Sequence, residues 1–268
     1  MKKIVLFDMD GTLTPARKEM EQPVLNALKV LHKKGFEIGI VTGSGMNYIK
    51  EQCSIMFEDL SFAHDQLYYF PYNGTKYIQY ENNLEKVQYN MSMEQEIGET
   101  KYRDIIYRLI ENQLRLKRKL YGKHIPLTGH FIDCRGPMIN WCPIGRNARH
   151  DDRVRWSLLD EKYKIRENLL DAYFRDPAYT CVDIKLGGST SFDIYPVGWD
   201  KSFVLRNFSD EDEIWFIGDK CQQHGNDKEL YDAVMKRGTN KSFETKSPSQ
   251  TIDIINTITK EKDELPKK

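Results

Sequence analysis

The stretch KKIVLFDMDGTLT, residues 2–14, decides the fold prediction, because an apolar run passes directly into a pair of acids. The segment KKIVLFD is apolar and β-prone, which predicts a buried strand. Asp8 and Asp10 follow at the end of this strand, and Gly11 permits a tight turn. In an open parallel sheet, ligands bind beyond the carboxyl ends of the strands. The motif therefore predicts a functional site in an α/β fold.

The segments that flank this motif predict a parallel sheet. Residues 21–35, EQPVLNALKVLHKKG, have apolar residues at helical spacing, and Pro23 and Gly35 suit the two ends of a helix. Residues 36–45, FEIGIVTGSG, predict a second strand that enters a glycine-rich turn. A strand, a crossover helix and another strand indicate a parallel arrangement. Because EIWFIGD at residues 213–219 repeats the pattern of a strand followed by an acid, both ends of the chain are predicted to form one sheet.

The middle of the chain has a different pattern. From about residue 77 to about residue 197, short β-prone runs alternate with helices predicted roughly over residues 94–120 and 159–174. Such a mixture is typical of an α+β insertion in an α/β core. We therefore predict a Rossmann-like parallel-sheet core from residues 1–81 and 198–268, covered by an α+β cap from residues 82–197.

The composition argues against some classes of binding partner. The 268 residues contain 40 Lys and Arg against 40 Asp and Glu, which argues against nucleic acid or an anionic membrane as the main partner. No run of about eighteen apolar residues is present, and the first apolar run is too short for a signal peptide, so we expect a cytoplasmic protein. The five cysteines are widely spread, which favours reduced thiols. The expected ligand is a small molecule.

The acids at the strand ends are suited to phosphoryl transfer. Asp8 is a competent nucleophile toward phosphorus once a cation neutralises the incoming phosphate, and Asp10 can shuttle a proton. Asp219 and Asp227 could complete an oxygen-rich site of the kind that Mg²⁺ prefers, and Lys201 could hold the phosphate and the nucleophile together. The alternative interpretation of DMDG is a solvated Asp-Gly turn, but the ordered combination with the later motifs favours the functional one.

Four short motifs resemble those of phosphotransferases of the haloacid dehalogenase superfamily: DMDGTLT, VTGS, the lysine of GWDK, and GDKCQQHGND. The resemblance implies that Asp8 is phosphorylated, and that Asp10 is the acid/base and offers its backbone carbonyl to Mg²⁺. It also implies that Thr42 or Ser44 contacts the transferring phosphoryl group. The predicted metal ligands are Asp8, Asp10, Asp219 and Asp227.

Longer motifs extend the resemblance over nearly the whole chain. RGPMINWCPIGRNARHDDRVRW at residues 135–156, LGGSTSFDIYPVGWDK at 186–201 and DGTLTPAR at 10–17 are similar to motifs of the eukaryotic type of phosphomannomutase. This resemblance implies arginines that hold sugar phosphates, and a serine and a carboxylate that bind sugar hydroxyls. The matching residues are Arg17, Arg135, Arg146 and Arg153, with Ser191 and Asp193. Guanidinium groups bind phosphate bidentately, but ordinary surface charges are the alternative interpretation of these arginines.

Three motifs depart from the family pattern. Its R-N-G-M reads R-G-P-M at residues 135–138, its G-G-N-D begins with His224, and its F-P-E-N-G has Tyr72 in place of the glutamate. These changes bear on the sugar preference and, for His224, on the backbone of the predicted metal loop. A basic segment at residues 115–119 is interpreted as a solvated helix face.

The resemblance also implies a function. It implies an enzyme that interconverts mannose 6-phosphate and mannose 1-phosphate through an aspartyl phosphate, primed by a hexose 1,6-bisphosphate, and that forms a homodimer through the cap. The nearest alternative is a Mg²⁺-dependent sugar-phosphate phosphatase with the same core. A catalytically silent sugar-phosphate-binding protein is a further alternative, which the presence of both Asp8 and Asp10 disfavours.

Overall fold

The structure is a computed structural model that describes residues 1–59, 64–119, 125–173, 176–223, 225–238 and 240–263. The chain divides into two compact units, which we call the first unit (Met1–Asn90 with Asp200–Lys268) and the second unit (Met91–Trp199). None of the helices in the described ranges combines the length and the apolar character needed to cross a bilayer.

The secondary structure alternates strands with helices in the first unit and mixes them in the second. The strands are β1 (Lys3–Phe7), β2 (Glu37–Val41), β3 (Leu67–Phe70), β4 (Lys76–Glu81), β5 (Leu84–Asn90), β6 (Ile132–Cys134), β7 (Ile139–Trp141), β8 (Val182–Gly187), β9 (Ser191–Pro196), β10 (Glu213–Gly218) and β11 (Lys241–Glu244). The helices are α1 (Gln22–Lys33), α2 (Met46–Gln52), α3 (Ser54–Glu58), α4 (Met93–Ile97), α5 (Glu99–Lys119), α6 (His150–Tyr163), α7 (Ile165–Tyr173), α8 (Lys228–Met235) and α9 (Pro248–Asp263). Short 3₁₀ helices cover His64–Gln66, Tyr72–Gly74, Pro177–Tyr179 and Lys201–Asn207.

The first unit is built on a seven-stranded sheet with the order β11-β10-β1-β2-β3-β4-β5. The strands from β11 to β3 run parallel, and β4 and β5 extend the sheet as an antiparallel hairpin. β1 lies between β10 and β2, and its residues 4–7 are completely buried. Val5 and Phe7 pack into one hydrophobic cluster, whereas Ile4 and Leu6 pack into another, as expected for a strand covered on both faces. The prediction of an α/β core with a parallel sheet is confirmed, and β1 and β10, from opposite ends of the chain, are neighbours in this sheet.

The boundary of the first unit depends on the β4–β5 hairpin. The sequence-based domain boundaries fall at residues 81/82 and 197/198, whereas the compact units divide at residues 90/91 and 199/200. The difference arises because β5 pairs with β4 from Glu81↔Leu84 to Lys76↔Asn90 and so belongs to the seven-stranded sheet.

The second unit contains a four-stranded antiparallel sheet with the order β6-β7-β9-β8. Its core includes Trp141, Trp156 and Phe192, all completely buried, with apolar residues of α5, α6 and α7 packed around them. Both predicted helices are divided in the structure. Gly98, with φ of 85°, separates α4 from α5, and Lys164, with φ of 50°, separates α6 from α7, because a left-handed residue ends an α-helix.

The core of the second unit generates a prediction for stability. Phe192 stacks on Trp141 with the ring centroids 5.0 Å apart, and neither side chain is exposed. Replacing Phe192 with Ala leaves a cavity between the sheet and its helices, so we expect the free energy of unfolding to fall by about 3–5 kcal/mol. Urea unfolding followed by tryptophan fluorescence measures this loss. Val197→Ala is the control, since Val197 is 61% exposed, and equal stability of the two variants would contradict the assignment of this core.

Candidate active site

The acids of the first unit converge because β1 and β10 are parallel neighbours. Phe7 pairs with Ile217, and the backbone N–H of Asp8 donates to the Ile217 carbonyl at 2.9 Å. Asp8 therefore leaves β1 at the same edge of the sheet at which Asp219 leaves β10. This edge is the carboxyl end of the parallel strands, where the sequence predicted the site.

The turn after β1 depends on Gly11. The backbone N–H groups of residues 12–14 all donate to the Met9 carbonyl, and the Gly11 N–H donates to the Thr14 carbonyl at 2.7 Å. Gly11 has φ of 88°, and a Cβ atom added to it would lie 2.5 Å from Asp219 Oδ2. A glycine is required both by the left-handed backbone and by the close approach of Asp219.

A buried lysine joins two of the acids. Lys201 has no exposed surface, and its ammonium group donates to Asp8 Oδ1 and, at 2.6 Å, to Asp227 Oδ1. Asp227 Oδ2 also accepts from the Lys220 N–H at 2.9 Å. Lys201 begins a 3₁₀ helix whose preceding residue, Asp200, accepts from the Ser202 N–H at 2.7 Å. This cap orients the first turn and so holds the lysine in the site.

The cluster carries more negative than positive charge. The three carboxylates of Asp8, Asp219 and Asp227 face two ammonium groups: that of the buried Lys201, and that of the more exposed Lys220, which lies 3.9 Å from Asp219 Oδ2. Burial and the neighbouring Asp227 carboxylate raise the pKa of Asp8 to about 8, against the opposing effect of Lys201. Burial also raises the pKa of Asp219. Burial lowers the pKa of Lys201, but the facing carboxylates of Asp227 and Asp8 raise it above the ordinary value. An additional cation would therefore favour the ionised form of Asp8.

The same acids can hold a metal ion. One carboxylate oxygen from each of Asp8, Asp219 and Asp227 lies within 4.8 Å of the others. Asp219 Oδ1 is buried and has no hydrogen-bond partner among the described residues, so this oxygen remains available as a ligand. Hard divalent cations prefer such oxygen donors. The donor set and the excess negative charge both fit a divalent cation.

Asp10 has a different environment. Its Oδ1 accepts from the Tyr48 hydroxyl at 2.9 Å and from the Arg17 backbone N–H at 2.9 Å. Arg17 has φ of 59°, a left-handed conformation that few non-glycine residues adopt. Burial and the adjacent Asp10 carboxylate raise the pKa of Tyr48, which therefore stays protonated as a donor. No sequence pattern marks Tyr48 as a partner of Asp10, because only the folded chain brings α2 beside the turn after β1.

The predicted phosphoryl-binding residues lie at the end of β2, next to β1. The backbone N–H of Thr42 donates to the Phe70 carbonyl at 3.1 Å, and Thr42 Oγ1 accepts from the Ser44 N–H at 3.1 Å. The Ser44 carbonyl in turn accepts from the Tyr72 N–H at 3.0 Å. Thr42 is buried and Ser44 is partly exposed. The turn is thus held by the segment that follows β3, and both hydroxyls remain candidates for a phosphoryl contact.

A polar row crosses the sheet of the second unit. The strand register pairs Asp133 on β6 with Asn140 on β7, Asn140 with Asp193 on β9, and Asp193 with Lys185 on β8. Asn140 is 2% exposed; its amide nitrogen donates to Asp193 Oδ1 at 2.6 Å, and its amide oxygen accepts from Arg146 at 2.9 Å. Asn140 therefore links the predicted sugar-binding carboxylate to a predicted phosphate-binding arginine.

The predicted arginines of the second unit have two kinds of environment. Arg135 Nε lies 2.9 Å and Arg146 Nε 3.4 Å from Asp133 Oδ2, so one carboxylate contacts both side chains. Arg153 instead donates to the carbonyls of Ala148 and Arg146 at 2.9 and 2.6 Å, and to Thr190 Oγ1 at 3.0 Å. These three hydrogen bonds hold Arg153 against the loop that carries Arg146 and limit the movement of that loop.

The structure separates the predicted residues into two groups. The first unit contains Asp8, Asp10, Arg17, Thr42, Ser44, Lys201, Asp219 and Asp227. The second unit contains Arg135, Arg146, Arg153, Ser191 and Asp193; Ser191 is buried, and its hydroxyl donates to the Gly187 carbonyl at 2.9 Å. His224 lies outside the described residues, as do the side chains of residues 117–119 of the basic segment. The alternation of strand residues could have identified Asp133 and Asn140, because they share a face with Asp193.

Comparisons with known proteins identify the family. The chain matches the family described as "Eukaryotic phosphomannomutase" over residues 24–261. A phosphomannomutase from Schizosaccharomyces pombe is 35% identical over 239 residues, which cover 86% of this chain and 85% of the relative. A phosphomannomutase from Spinacia oleracea is 34% identical over 229 residues, which cover 85% of this chain and 86% of the relative.

A comparison with solved structures agrees on the fold. A haloacid dehalogenase-like hydrolase from Bacteroides thetaiotaomicron superposes with a TM-score of 0.54 and 16% sequence identity, covering 96% of this chain and 100% of that chain. At this identity the likeness concerns the fold alone, and it confirms the predicted haloacid dehalogenase-like architecture. Since the family match covers most of the residues and both relatives are similar along most of their length, the chain belongs to the eukaryotic phosphomannomutase family.

Proposed function

We propose that this chain is a phosphomannomutase that interconverts mannose 6-phosphate and mannose 1-phosphate through a phosphorylated Asp8. The observation that carries the proposal is the buried contact of Lys201 with Asp8 and Asp227 at the carboxyl end of the parallel strands. The family membership supplies the substrate class, since the matched relatives are named phosphomannomutases.

The first half of the reaction transfers a phosphoryl group to the enzyme. A carboxylate oxygen of Asp8 attacks the phosphorus of a hexose 1,6-bisphosphate, a bond between Asp8 and phosphorus forms, and the bond from phosphorus to the sugar oxygen breaks. Asp10 gives a proton to the departing sugar oxygen. Lys201 holds the Asp8 carboxylate in place, and Thr42 or Ser44 donates a hydrogen bond to the transferring group.

The second half returns the phosphoryl group at the other end of the sugar. The hexose monophosphate reorients, its free hydroxyl attacks the phosphorus on Asp8, and Asp10 takes the hydroxyl proton. A bond from phosphorus to this oxygen forms while the bond to Asp8 breaks, which restores the carboxylate. Water must be excluded during the reorientation, because hydrolysis of the aspartyl phosphate is the competing loss.

A magnesium ion is the cation that we assign to the acidic cluster. Asp8, Asp219 and Asp227, with the backbone carbonyl of Asp10, would hold Mg²⁺, which would neutralise part of the phosphate charge during attack. The support is the unpartnered Asp219 Oδ1 and the excess of carboxylates over ammonium groups. The hexose 1,6-bisphosphate is the proposed activator because it leaves the enzyme phosphorylated when the monophosphate departs.

We assign substrate recognition to the second unit, as the cap of the enzyme. Arg135 and Arg146 of this unit supply guanidinium groups for phosphate. In the first unit, Arg17 is a further proposed phosphate ligand. Arg153 contributes to phosphate binding indirectly, because its hydrogen bond to the Arg146 carbonyl holds the loop that carries Arg146. Ser191 and Asp193 are the proposed partners of sugar hydroxyls, since a carboxylate accepts hydrogen bonds from hydroxyl groups.

A phosphorus NMR time course tests the proposed function. The sample contains the protein, Mg²⁺, mannose 1-phosphate and a trace of glucose 1,6-bisphosphate. We expect the signal of mannose 6-phosphate to appear and to reach equilibrium without loss of total sugar phosphate. Release of inorganic phosphate without isomerised sugar phosphate would contradict a mutase and indicate a phosphatase with the same core.

We also infer a cytoplasmic homodimer that associates through the second unit. Tyr107, Ile110 and Leu114 are 67%, 45% and 73% exposed and recur at helical spacing on α5, which supports an apolar contact surface on this helix. We expect the protein to sediment as a dimer and the variant Leu114→Lys to sediment as a monomer. A wild-type monomer at micromolar concentration would contradict the dimer.

The role of Asp8 predicts a loss of turnover. Asp8→Asn has the same shape but cannot form an acyl phosphate, so we expect no detectable formation of mannose 6-phosphate in the phosphorus NMR time course. Asp210→Asn is the matched control, because the Asp210 side chain is completely exposed. A rate close to that of the wild type in Asp8→Asn would remove Asp8 from the role of nucleophile.

If Arg146 binds a phosphate of the substrate, replacing it should weaken the binding of mannose 1-phosphate. Removing a charge-assisted hydrogen bond costs about 1.5–3 kcal/mol, so we expect Arg146→Ala to raise KM for mannose 1-phosphate roughly 10- to 100-fold. Steady-state kinetics measure the change. Arg155→Ala is the control, since Arg155 is an exposed arginine on α6. An unchanged KM in Arg146→Ala would show that Arg146 does not contact the substrate.

A further inference from the structure

We propose that Tyr48 is a positioning residue that holds the Asp10 carboxylate by one oxygen, so that the other oxygen, Oδ2, carries the proton during phosphoryl transfer. The inference rests on the proposed function, in which Asp10 is the acid/base. It adds a residue of α2 to the reaction and assigns different roles to the two oxygens of Asp10.

Two donors meet on the same oxygen of Asp10. The Tyr48 hydroxyl and the Arg17 backbone N–H both donate to Oδ1, each at 2.9 Å. Among the described residues, no other hydrogen-bond donor contacts the Asp10 carboxylate. Two bonds to Oδ1 fix the rotation of the carboxylate about its side-chain bonds, and they leave Oδ2 as the oxygen that can exchange a proton with substrate.

Tyr48 is itself held in a fixed position. It lies in the first turn of α2, where its backbone N–H donates to the Gly45 carbonyl at 3.0 Å. The neighbouring residues Met46 and Ile49 are buried, and the Tyr48 ring packs against the same hydrophobic cluster. The hydroxyl of a ring anchored in this way has little freedom. Asp10, which is only partly buried, depends on this partner for its orientation.

The proposed arrangement specifies where the proton moves. When phosphorus bonds to Asp8 and its bond to the sugar oxygen breaks, the proton on Asp10 Oδ2 passes to that oxygen. When the second sugar hydroxyl attacks the phosphorus on Asp8, its proton passes to Oδ2, and the Asp8 carboxylate is released. The Oδ1 atom keeps both donors in each half, so the carboxylate does not rotate between the two proton transfers.

The variant Tyr48→Phe separates this role from substrate binding. The variant keeps the packed ring and removes only the hydroxyl donor, so we expect kcat to fall about 10- to 100-fold while KM changes by less than about twofold. Tyr68→Phe is the matched control: the Tyr68 hydroxyl donates to the Glu37 carboxylate at the start of β2, the opposite end of that strand from Thr42. We expect kcat of Tyr68→Phe to equal that of the wild type.

A double-mutant cycle tests whether Tyr48 acts through Asp10. If Tyr48 acts only by holding this carboxylate, Tyr48→Phe should cause no further loss in an Asp10→Asn background, because the acid/base is already absent. The rate of Asp8 phosphorylation by hexose 1,6-bisphosphate in a single turnover is the readout for all four proteins.

The outcomes separate this inference from the proposed function. An active wild type with an unchanged kcat in Tyr48→Phe, or an equal loss in both backgrounds, would overturn the role of Tyr48 alone. A rise in KM without a fall in kcat would also overturn it, since it would make Tyr48 a binding residue. A wild type that transfers no phosphoryl group would overturn the proposed function and this inference with it.

Discussion

The ion pairs of Lys201 with Asp8 and Asp227 are the interaction on which the first unit depends. Lys201 lies 193 residues beyond Asp8 in the sequence, and all three side chains are buried. Removing one partner from a buried pair leaves an uncompensated charge and costs about 3–5 kcal/mol. The C-terminal segment supplies β10 and β11. The ion pairs therefore link this segment to the edge of the sheet at which β1 ends. The excess of carboxylates that remains fits the divalent cation that we propose for the same cluster.

Ion pairs and hydrogen bonds join the proposed substrate-binding residues of the second unit to Asp133 and Asn140. Asp133 contacts both Arg135 and Arg146, and Asn140 joins Arg146 to Asp193. Asp133 thus holds Arg135 and Arg146, and Asn140 holds Arg146 and Asp193, which are three of the predicted substrate ligands of this unit. The departure of this chain from the family pattern after Arg135 fits the local backbone: Gly136 has φ of 86°, and the Arg135 N–H donates to the Met138 carbonyl at 2.9 Å. The altered motif closes a tight turn between β6 and β7 and keeps Arg135 at the end of β6.

Strand ends and motif order were predictable from the sequence, whereas contacts between distant segments were not. The apolar run before Asp8 predicted β1 and its site, because a strand buried on both faces has a continuous apolar pattern. The breaks at Gly98 and Lys164 divide both predicted helices, because each residue adopts a left-handed backbone that the spacing of apolar residues does not reveal. The placement of β5 in the core sheet follows from its register with β4. Tyr48 reaches Asp10 only through the packing of α2, and no local pattern marks that contact.

The identity of the phosphorylated residue tests the role of Asp8 as the nucleophile. Protein mixed with Mg²⁺ and glucose 1,6-bisphosphate can be quenched in acid within one turnover, digested and examined by mass spectrometry. We expect one phosphoryl group, on the peptide that contains Asp8, and its disappearance when excess mannose 1-phosphate is added before the quench. Turnover without a phosphorylated peptide, or with the phosphoryl group on another residue, would contradict the role of Asp8 as the nucleophile.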